Sequence, residues 1–426
     1  MRGIARMCAG ARACVRDLAG ARAFAAVLAA AVFAAAPPAR ANSILSIGGL
    51  GEPQLEEAAR LRALGGAGAA EHGPRDMSLV NPASLSDVER ILLEVTVVPT
   101  LRRVSALTSN ETVNETTFPS ARAVIALPGR IVLGGSYLAG TDAEFTVVRE
   151  ENDGAPSTVK VDGSGGLNFL RVSLARRVVP ALRLGVDWEV IAGSYRETWL
   201  RTFSDSGLAP ARDTLEVRYP RKGRWRFGAQ LVKAEWTLGA VFETSQSLML
   251  EERRSTPGAT ETITNRRLTI PTGFAVGISA PLRERYRAVA QYRRANWSRS
   301  SLQSDLVDFR AQQRFSVGLE RKRATGDGGS FWDRLPLRVG GYLLQWPDLL
   351  PRAGASDLSG GSAAVNERAI TLGVGLVTKD QGGGLDVALE LGARGNKSDL
   401  GVDEKFARLG ISFLVSDETW KGTFHR

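Results

Sequence analysis

Cysteine and histidine are almost absent from this chain of 426 residues, which holds two of each. Both cysteines, Cys8 and Cys14, lie near the N-terminus, so the rest of the chain has no thiol for a disulfide framework or a thiolate metal site. The histidines are His72 and His425. A Ser-His-Asp hydrolase needs an imidazole beside its nucleophile, and a zinc site usually needs several His or Cys ligands. We therefore expect no enzyme, no metal and no cofactor.

Long apolar runs are also scarce. Beyond residue 41, no segment reaches the roughly 20 consecutive apolar residues that a membrane-spanning helix needs. A chain of this size without crosslinks must be stabilised by its own core or by a bilayer. The remaining classes are a soluble exported β-protein and a transmembrane β-barrel.

Residues 1–41 have the pattern of a secretory signal peptide. A basic head is followed by the apolar stretch 23–36, and Ala39-Arg40-Ala41 offers a small-x-small cleavage site. This leader holds six arginines and one aspartate, so the rest of the chain has 49 basic and 44 acidic residues and its formal charge falls from +10 to +5. The remaining charges are scattered and of mixed sign, whereas a nucleic-acid protein concentrates basic residues on one face. We expect an exported protein without a nucleic-acid partner.

Strict alternation of apolar and polar residues begins near Arg90. In residues 182–190, Leu184, Val186 and Trp188 share one face, while the charged residues Asp187 and Glu189 share the other. A period of two is typical of a β-strand whose two faces meet different surroundings. Such strands suit either a barrel wall or a β-sandwich.

The number and spacing of these strands favour the barrel. A first strand near 91–103, six hairpins and a last strand near 405–415 make about 14, an even number of the kind that bacterial barrels use. Short turns alternate with long polar loops, as in outer-membrane barrels. Tryptophans near strand ends are typical of an interfacial girdle. The predicted hairpins are 121–138, 167–190, 225–242, 274–292, 314–344 and 369–394, and the girdle residues are Trp199, Trp225, Trp236, Trp297 and Trp346. The predicted fold is all-β, a transmembrane antiparallel barrel over residues 89–416.

The end of the chain resembles the C-terminal signal by which outer-membrane barrels are recognised for insertion. Arg408–Val415 alternates in the expected way, with Phe413 and Val415 as its apolar positions. The resemblance implies the barrel assembly machinery as a partner. Unlike the common pattern, the chain continues beyond the signal, and we interpret residues 417–426 as a periplasmic tail.

Between the leader and the first strand lies a segment rich in turns and small residues, 63–85. It contains Gly65, Gly66 and Gly68, followed by Asn81-Pro82-Ala83. Glycine permits positive φ and close backbone approach, and Asn-Pro presets a turn. In this setting the segment resembles the N-terminal plug of the FadL-type outer-membrane transporters, in which a small-residue run is followed by an Asn-Pro-Ala turn just before the first strand.

That resemblance implies a small plug over residues 42–88 inside a 14-stranded barrel in the cell outer membrane, in contact with membrane lipid and lipopolysaccharide. It implies uptake of hydrophobic compounds such as long-chain fatty acids. Gly65, Gly66 and Gly68 match the hatch, and Asn81, Pro82 and Ala83 match the turn. Small residues with weak side-chain anchoring would let a plug move. In the third strand, Gly134 and Gly135 are candidates for a wall kink and sideways exit, with ordinary twist relief as the alternative.

Other functions stay open at this stage. A barrel with the same plug signature can act as a scaffold or shuttle for secreted proteins, and an open porin is a third hypothesis. The inward carboxylates Asp187, Glu189, Asp386 and Glu390 fit glycoside hydrolysis in residue type, but a charged lumen needs acids in any case. A fatty-acid carrier requires an apolar cavity, which a scaffold does not.

Overall fold

The computed structural model describes residues 43–46, 50–107, 109–151, 155–205, 207–300, 307–324, 331–355, 357–377 and 383–417. Within these ranges the chain forms strands that build a closed antiparallel barrel. The strands are β1 (Glu52–Pro53), β2 (Ile91–Ala106), β3 (Asn110–Leu127), β4 (Ile131–Ala139), β5 (Thr141–Asp142), β6 (Phe145–Glu151), β7 (Ser157–Val179), β8 (Leu182–Phe203), β9 (Ala211–Lys233), β10 (Trp236–Glu243), β11 (Gln246–Ser255), β12 (Thr262–Ile270), β13 (Gly273–Arg283), β14 (Tyr286–Ala295), β15 (Asp308–Phe309), β16 (Gln312–Arg321), β17 (Leu337–Pro351), β18 (Ser362–Val377), β19 (Gly383–Asn396) and β20 (Val402–Asp417).

Fourteen of these strands form the wall, as the alternation of the sequence predicted. They are β2, β3, β4, β7, β8, β9, β10, β13, β14, β16, β17, β18, β19 and β20. Pairing of β2 with β20 closes the barrel. Along β8, Leu184 and Trp188 are exposed on the outer face, whereas Asp187 and Glu189 are buried on the inner face. The wall therefore has an apolar outer surface and a charged lumen.

The two ends of the barrel differ. Two-residue or three-residue turns at 128–130, 180–181, 234–235 and 284–285 lie at the same end as the start of β2 and the end of β20. Most of the longer connections lie at the opposite end, although the connection between β16 and β17, residues 322–336, begins and ends at the same end as the short turns. In outer-membrane barrels the short turns are periplasmic and the long loops external, and we use these names for the two ends.

One side of the wall rises far above the rest at the external end. β7, β8 and β9 contain 23, 22 and 23 residues, about twice the 9–11 that cross a membrane. β6 pairs with the upper part of β7, and the β11–β12 hairpin pairs with the upper part of β9. The inner face of this extension carries a buried apolar cluster that includes Phe145, Val161, Ile191, Tyr195 and Leu250.

Helical structure is confined to short segments. They are the helices Ala59–Arg62 and Lys397–Leu400 and the 3₁₀ turns Ile44–Ser46, Pro82–Asp87, Trp297–Arg299, Phe331–Arg334 and Leu358–Gly360. In the part of the chain that the structure describes, no helix is long and apolar enough to span a membrane.

The predicted tryptophan girdle is only partly correct. Trp225 and Trp236 lie on the outer surface and are about half exposed. Trp346 is buried in the lumen, where Arg394 lies 4.9 Å above its ring, and Trp199 and Trp297 pack against the external apolar cluster. These three residues sit near strand ends on the inner side of the barrel, so nearness to a strand end did not distinguish girdle from core.

Several predicted segments lie outside the described residues. They are the signal peptide 1–41, the tail beyond Asp417, His425, and the turns near Gly326 and Gly382.

The apolar outer face predicts that the cost of an added charge depends on its depth in the membrane. Leu372, at the centre of β18, faces outward, so Leu372→Arg should lower the free energy of unfolding by about 2–4 kcal/mol because it places a charge at the bilayer midplane. Leu200 is half-buried in the external extension of β8, opposite Lys160 of β7, and Leu200→Arg should change stability little because we expect the extension to lie above the membrane. Urea unfolding from lipid vesicles, followed by tryptophan fluorescence, measures both. Equal losses would place the extension inside the bilayer.

Candidate functional site

Residues 50–88, here called the plug, run through the lumen from the external to the periplasmic end. At the external end β1 pairs with β5. At the periplasmic end Leu85 and Val88 pack with Val124 and Val132 of the wall. Most plug residues between these points are buried, including charged ones. The plug is therefore part of the interior of the barrel.

The external half of the plug is held by one buried carboxylate. Glu52 accepts contacts from Arg102, Arg394 and Arg408 at 2.8, 2.6 and 2.6 Å. All four side chains are at most 8 % exposed. Burial raises the pKa of Glu52, but the charges of the three arginines outweigh it and hold that pKa well below its ordinary value. Glu52 is thus a charged link between the plug and strands β2, β19 and β20.

Ion pairs continue along the plug toward the periplasm. Glu56 lies 3.1 Å from Arg293 and 3.4 Å from Arg171. Asp87 accepts a hydrogen bond from Arg183 at 2.9 Å. Burial raises the pKa of Asp87, but its bonds to His72 and Arg183 lower it to about 2. Further pairs join Arg60 to Glu320 and Glu71 to Arg287.

Wall side chains also bind the plug backbone directly. Arg122 donates to the carbonyl of Met77 at 3.0 Å, and Arg226 donates to the carbonyl of Val80 at 2.7 Å. Gln230 donates to two more plug carbonyls, at 3.0 and 2.8 Å. Buried backbone groups need hydrogen-bond partners. Because the plug has little secondary structure of its own, side chains of the wall supply these partners.

The predicted hatch glycines lie where the plug passes the wall. Gly65 and Gly66 have φ of +69° and +77°, in the left-handed region that favours glycine. The backbone N–H of Gly65 donates to Thr371 at 3.2 Å, and that of Gly68 donates to Gln291 at 2.9 Å. The segment has no large side chains with which to hold itself, as expected, but the wall supplies the anchors. The segment is therefore anchored through its backbone and not through side chains of its own.

Glycines on the inner face of successive strands make room for the plug. A Cβ at Gly239 would lie 1.9 Å from the carbonyl oxygen of Ala69, and one at Gly340 would lie 2.6 Å from the backbone nitrogen of Gly65. Both distances are impossible contacts, so the plug backbone touches the wall backbone. This glycine belt consists of Gly134, Gly185, Gly228, Gly239, Gly277, Gly318, Gly340 and Gly373.

The Asn81-Pro82-Ala83 turn is locked at the same level. Asn81 Oδ1 accepts from the backbone N–H of Ala83 at 3.0 Å and so caps the turn that starts at Pro82. Asn81 Nδ2 donates to the carbonyls of Ala69 and, in β9, Ala229, at 2.7 and 3.2 Å. One amide therefore joins two parts of the plug to the wall.

The structure places the irregularity of the wall a few residues beyond Gly134 and Gly135, where we expected a kink. Gly134 and Gly135 lie in β4, whose described pairing with β3 and β7 runs through both residues without a register shift. Gly134 faces Leu85 of the plug, and Gly135 has open space outside it. The irregularity follows at residues 140–144, between β4 and β6.

At that irregularity the barrel wall is incomplete. Pairing between β3 and β4 ends at Ser120 and Leu138, although β3 continues to pair with β2 as far as Asn110. The stretch of chain from β4 through β5 to β6 is here called the third strand. Above Leu138, its edge that faces β3 pairs with the plug instead, through β5 and β1. Among the described residues, no strand pairs with this upper edge of β3. A lateral gap thus separates β3 from the third strand.

A small cavity lies beside the kink, in the external half of the lumen. It has a volume of about 100 Å³. Its lining includes Gly140 and Thr141 of the kink, together with Leu50, Pro53 and Phe169. The polar side of the lining includes Arg224, Glu243, Arg293, Gln312 and Arg314. The cavity is therefore mixed, with apolar residues of the plug and of β7 on one part of its lining and charged side chains of the wall on another.

The inward carboxylates are engaged in ion pairs. Asp187 pairs with Arg226, Glu189 with Arg171 and Arg224, Asp386 with Arg338, and Glu390 with Arg408. His72 contacts Asp87 and Thr237. Among the described residues, no cluster of three or more His, Cys, Asp or Glu side chains is arranged to hold a metal ion. These contacts agree with the structural interpretation of the acids.

Sequence reasoning missed the kink at 140–144, the glycine belt and the partners of each charge. A signal for the belt was present, since many predicted strands carry an inward glycine. No local pattern marks residues 140–144, because their position depends on pairing with the plug.

The Glu52 contact predicts a stability cost. Glu52→Gln would leave three buried arginines without their shared carboxylate, and we expect a loss of about 3–5 kcal/mol because one partner of a buried ion pair has been removed. Glu150→Gln, at an exposed acid of β6, is the matched control and should cost little. Unfolding from vesicles compares the two. A small loss for Glu52→Gln would mean that water already screens the cluster.

The glycine belt predicts that one added side chain displaces the plug turn. A Cβ at Gly228 would lie 2.1 Å from Asn81 Oδ1, whereas one at Gly135 meets nothing within 4 Å. We expect Gly228→Val to fold as a barrel but to show faster proteolysis of the plug and higher single-channel conductance. Gly135→Val should match the parent protein in both assays. Unchanged conductance in Gly228→Val would show that the turn does not seal the lumen.

Comparison with solved structures shows the fold. A FadL homologue from Pseudomonas aeruginosa has a TM-score of 0.58 at 13% identity, covering 86% of this chain and 99% of that one. The Ralstonia pickettii toluene transporter TbuX has a TM-score of 0.53 at 18% identity, covering 85% and 99%. The P. putida toluene transporter TodX has a TM-score of 0.53 at 12% identity, covering 85% and 99%. No curated protein matches the sequence.

The profile of one protein family covers nearly the whole sequence. The BamG family matches residues 21–220 and 225–423. With the fold shown above, the chain belongs to the BamG family and has the architecture of the FadL-type outer-membrane barrels.

Proposed function

We propose that this protein conducts small hydrophobic molecules across the outer membrane, through the external cavity and sideways through the wall. The observation that carries the proposal is the lateral gap between β3 and the third strand, together with the kink residues Gly140 and Thr141 that lie on the lining of the cavity. Solved structures of the same fold include toluene transporters from two organisms. Hydrocarbon solutes dissolve in a bilayer, so an exit into the membrane avoids transfer through water.

The size of the cavity favours a small solute. A cavity of about 100 Å³ is of the same order as the roughly 150 Å³ apolar cavity that holds benzene. Sites for drug-sized ligands measure roughly 300–1,000 Å³. A monoaromatic hydrocarbon fits this space better than the long-chain fatty acid that the family resemblance implied. A fatty acid would require the lining to move.

The gap predicts that a bulky group at its edge blocks passage. The chain beyond the leader has no cysteine, so Thr141→Cys gives a single reactive thiol at the kink. A benzyl methanethiosulfonate label on that thiol should reduce cellular uptake of labelled toluene to the level of cells without the protein. The control is the same label on Gly135→Cys, which faces the bilayer on β4 and should leave uptake unchanged.

The outcomes separate the alternatives. Uptake that persists after labelling Thr141→Cys would exclude the lateral route. Absence of protein-dependent uptake of both toluene and oleic acid would exclude a carrier and leave the scaffold for secreted proteins. A steady conductance to ions in the unlabelled protein would indicate a porin, which the buried plug disfavours. Movement of the plug and its role in gating stay predictions.

A further inference from the structure

The outer wall carries an apolar groove that crosses strands β7, β8, β9, β10 and β13. Ala229 of β9 pairs with Ala240 of β10, and Ala240 pairs with Val276 of β13. Since alternate residues share a face, the two alanine methyl groups form a low floor on the bilayer side. Larger exposed side chains border it, namely Leu184, Phe227, Leu231, Leu238 and Phe242.

The groove is large enough for part of a lipid. Two adjoining depressions, which share Ala229 and Ala240, have volumes of about 630 and 340 Å³. Each lies in or near the roughly 300–1,000 Å³ range of small-molecule sites. A protein wall in the hydrocarbon layer meets acyl chains, which are flexible and fill narrow apolar depressions.

A charged side chain lies at one end of the larger depression. Arg176 borders it and is exposed on the outer face near the periplasmic end of β7. Among the described residues, Arg176 has no ion-pair partner, whereas its neighbour Arg177 pairs with Asp87. An arginine guanidinium is well suited to bind a phosphate through two hydrogen bonds. At this level of the membrane the available phosphates are lipid headgroups of the periplasmic leaflet.

We propose that this groove binds one phospholipid of the periplasmic leaflet, with an acyl chain over Ala229 and Ala240 and the phosphate on Arg176. The charge complementarity of Arg176 and the apolar floor select this occupant. The groove exists because the wall is thin here. Gly185 and Gly228 are pressed against Pro82 on the inside, while Ala229 and Ala240 leave the outside open.

Native mass spectrometry of the detergent-extracted full-length protein tests the site, with palmitoyl-oleoyl phosphatidylglycerol and a diacylglycerol of the same chains as probes. We expect one phosphatidylglycerol retained by the parent protein. The double variant Ala229→Phe/Ala240→Phe, which fills the groove, should retain at least tenfold less of either probe. Arg176→Gln should lose the preference for phosphatidylglycerol over diacylglycerol while still binding both weakly.

Matched controls separate the groove from ordinary lipid contact. Ala123→Phe adds the same side chain to the bilayer face of β3, and Arg323→Gln removes an exposed arginine at the periplasmic end of β16. Both should behave like the parent, and heat-modifiable migration on gels confirms that every variant folds. Equal retention in all variants would overturn the proposal, as would a second polypeptide or a second copy of the chain released by Ala229→Phe/Ala240→Phe.

Discussion

The pairing of buried charge dominates this structure. Arginines from most sides of the wall point into a lumen from which the plug excludes water, and an unpaired charge there would be strongly destabilising. Glu52 meets three of them at once, and Glu56 meets two more. Some guanidinium groups also bind backbone carbonyls of the plug. Arg122 donates to the carbonyl of Met77, and Arg226 donates to that of Val80 in addition to its pair with Asp187. The plug therefore supplies part of the negative charge that balances the arginines of the wall, and the wall supplies hydrogen-bond partners for the plug backbone.

The second constraint is space. The carbonyl groups of the plug can accept hydrogen bonds from the wall only if the plug backbone lies close to the wall. That closeness requires wall positions without side chains. The glycine belt supplies them, at an intrinsic cost of roughly 0.5–1 kcal/mol for each glycine in a strand. The contacts with the plug offset this cost. Where the plug turns at Pro82, both Gly185 and Gly228 are in contact with it, and the wall between plug and bilayer is reduced to backbone. The same closeness that fixes the turn also thins the wall.

The sequence predicted what is local and missed what depends on pairing across the barrel. Alternation of inward and outward residues repeats within each strand, so the 14-strand wall was predictable. The cap at Asn81 was predictable for the same reason, since it acts within three residues. Trp346 and Trp236 both lie near strand ends, and only the facing strands decide that the first is buried and the second exposed. The kink at 140–144 depends on β5 pairing with β1, almost 90 residues earlier in the chain, and no local pattern reports that.

The two constraints together decide which route a passing molecule would take under the proposed function. To move the plug along the lumen, the protein would have to break several buried ion pairs, each costing about 3–5 kcal/mol if one partner is left behind. At the kink, the two-residue pairing of β1 with β5, a hydrogen bond from the Gln54 N–H to the Gly140 carbonyl at 3.0 Å and apolar packing of Leu50 join the third strand to the plug, and a backbone hydrogen bond contributes about 1 kcal/mol net. The kink is therefore the weaker seal. Because the plug is held this firmly, a passing molecule would move around it. The lateral gap, and not the plug, would then determine selectivity for small apolar molecules.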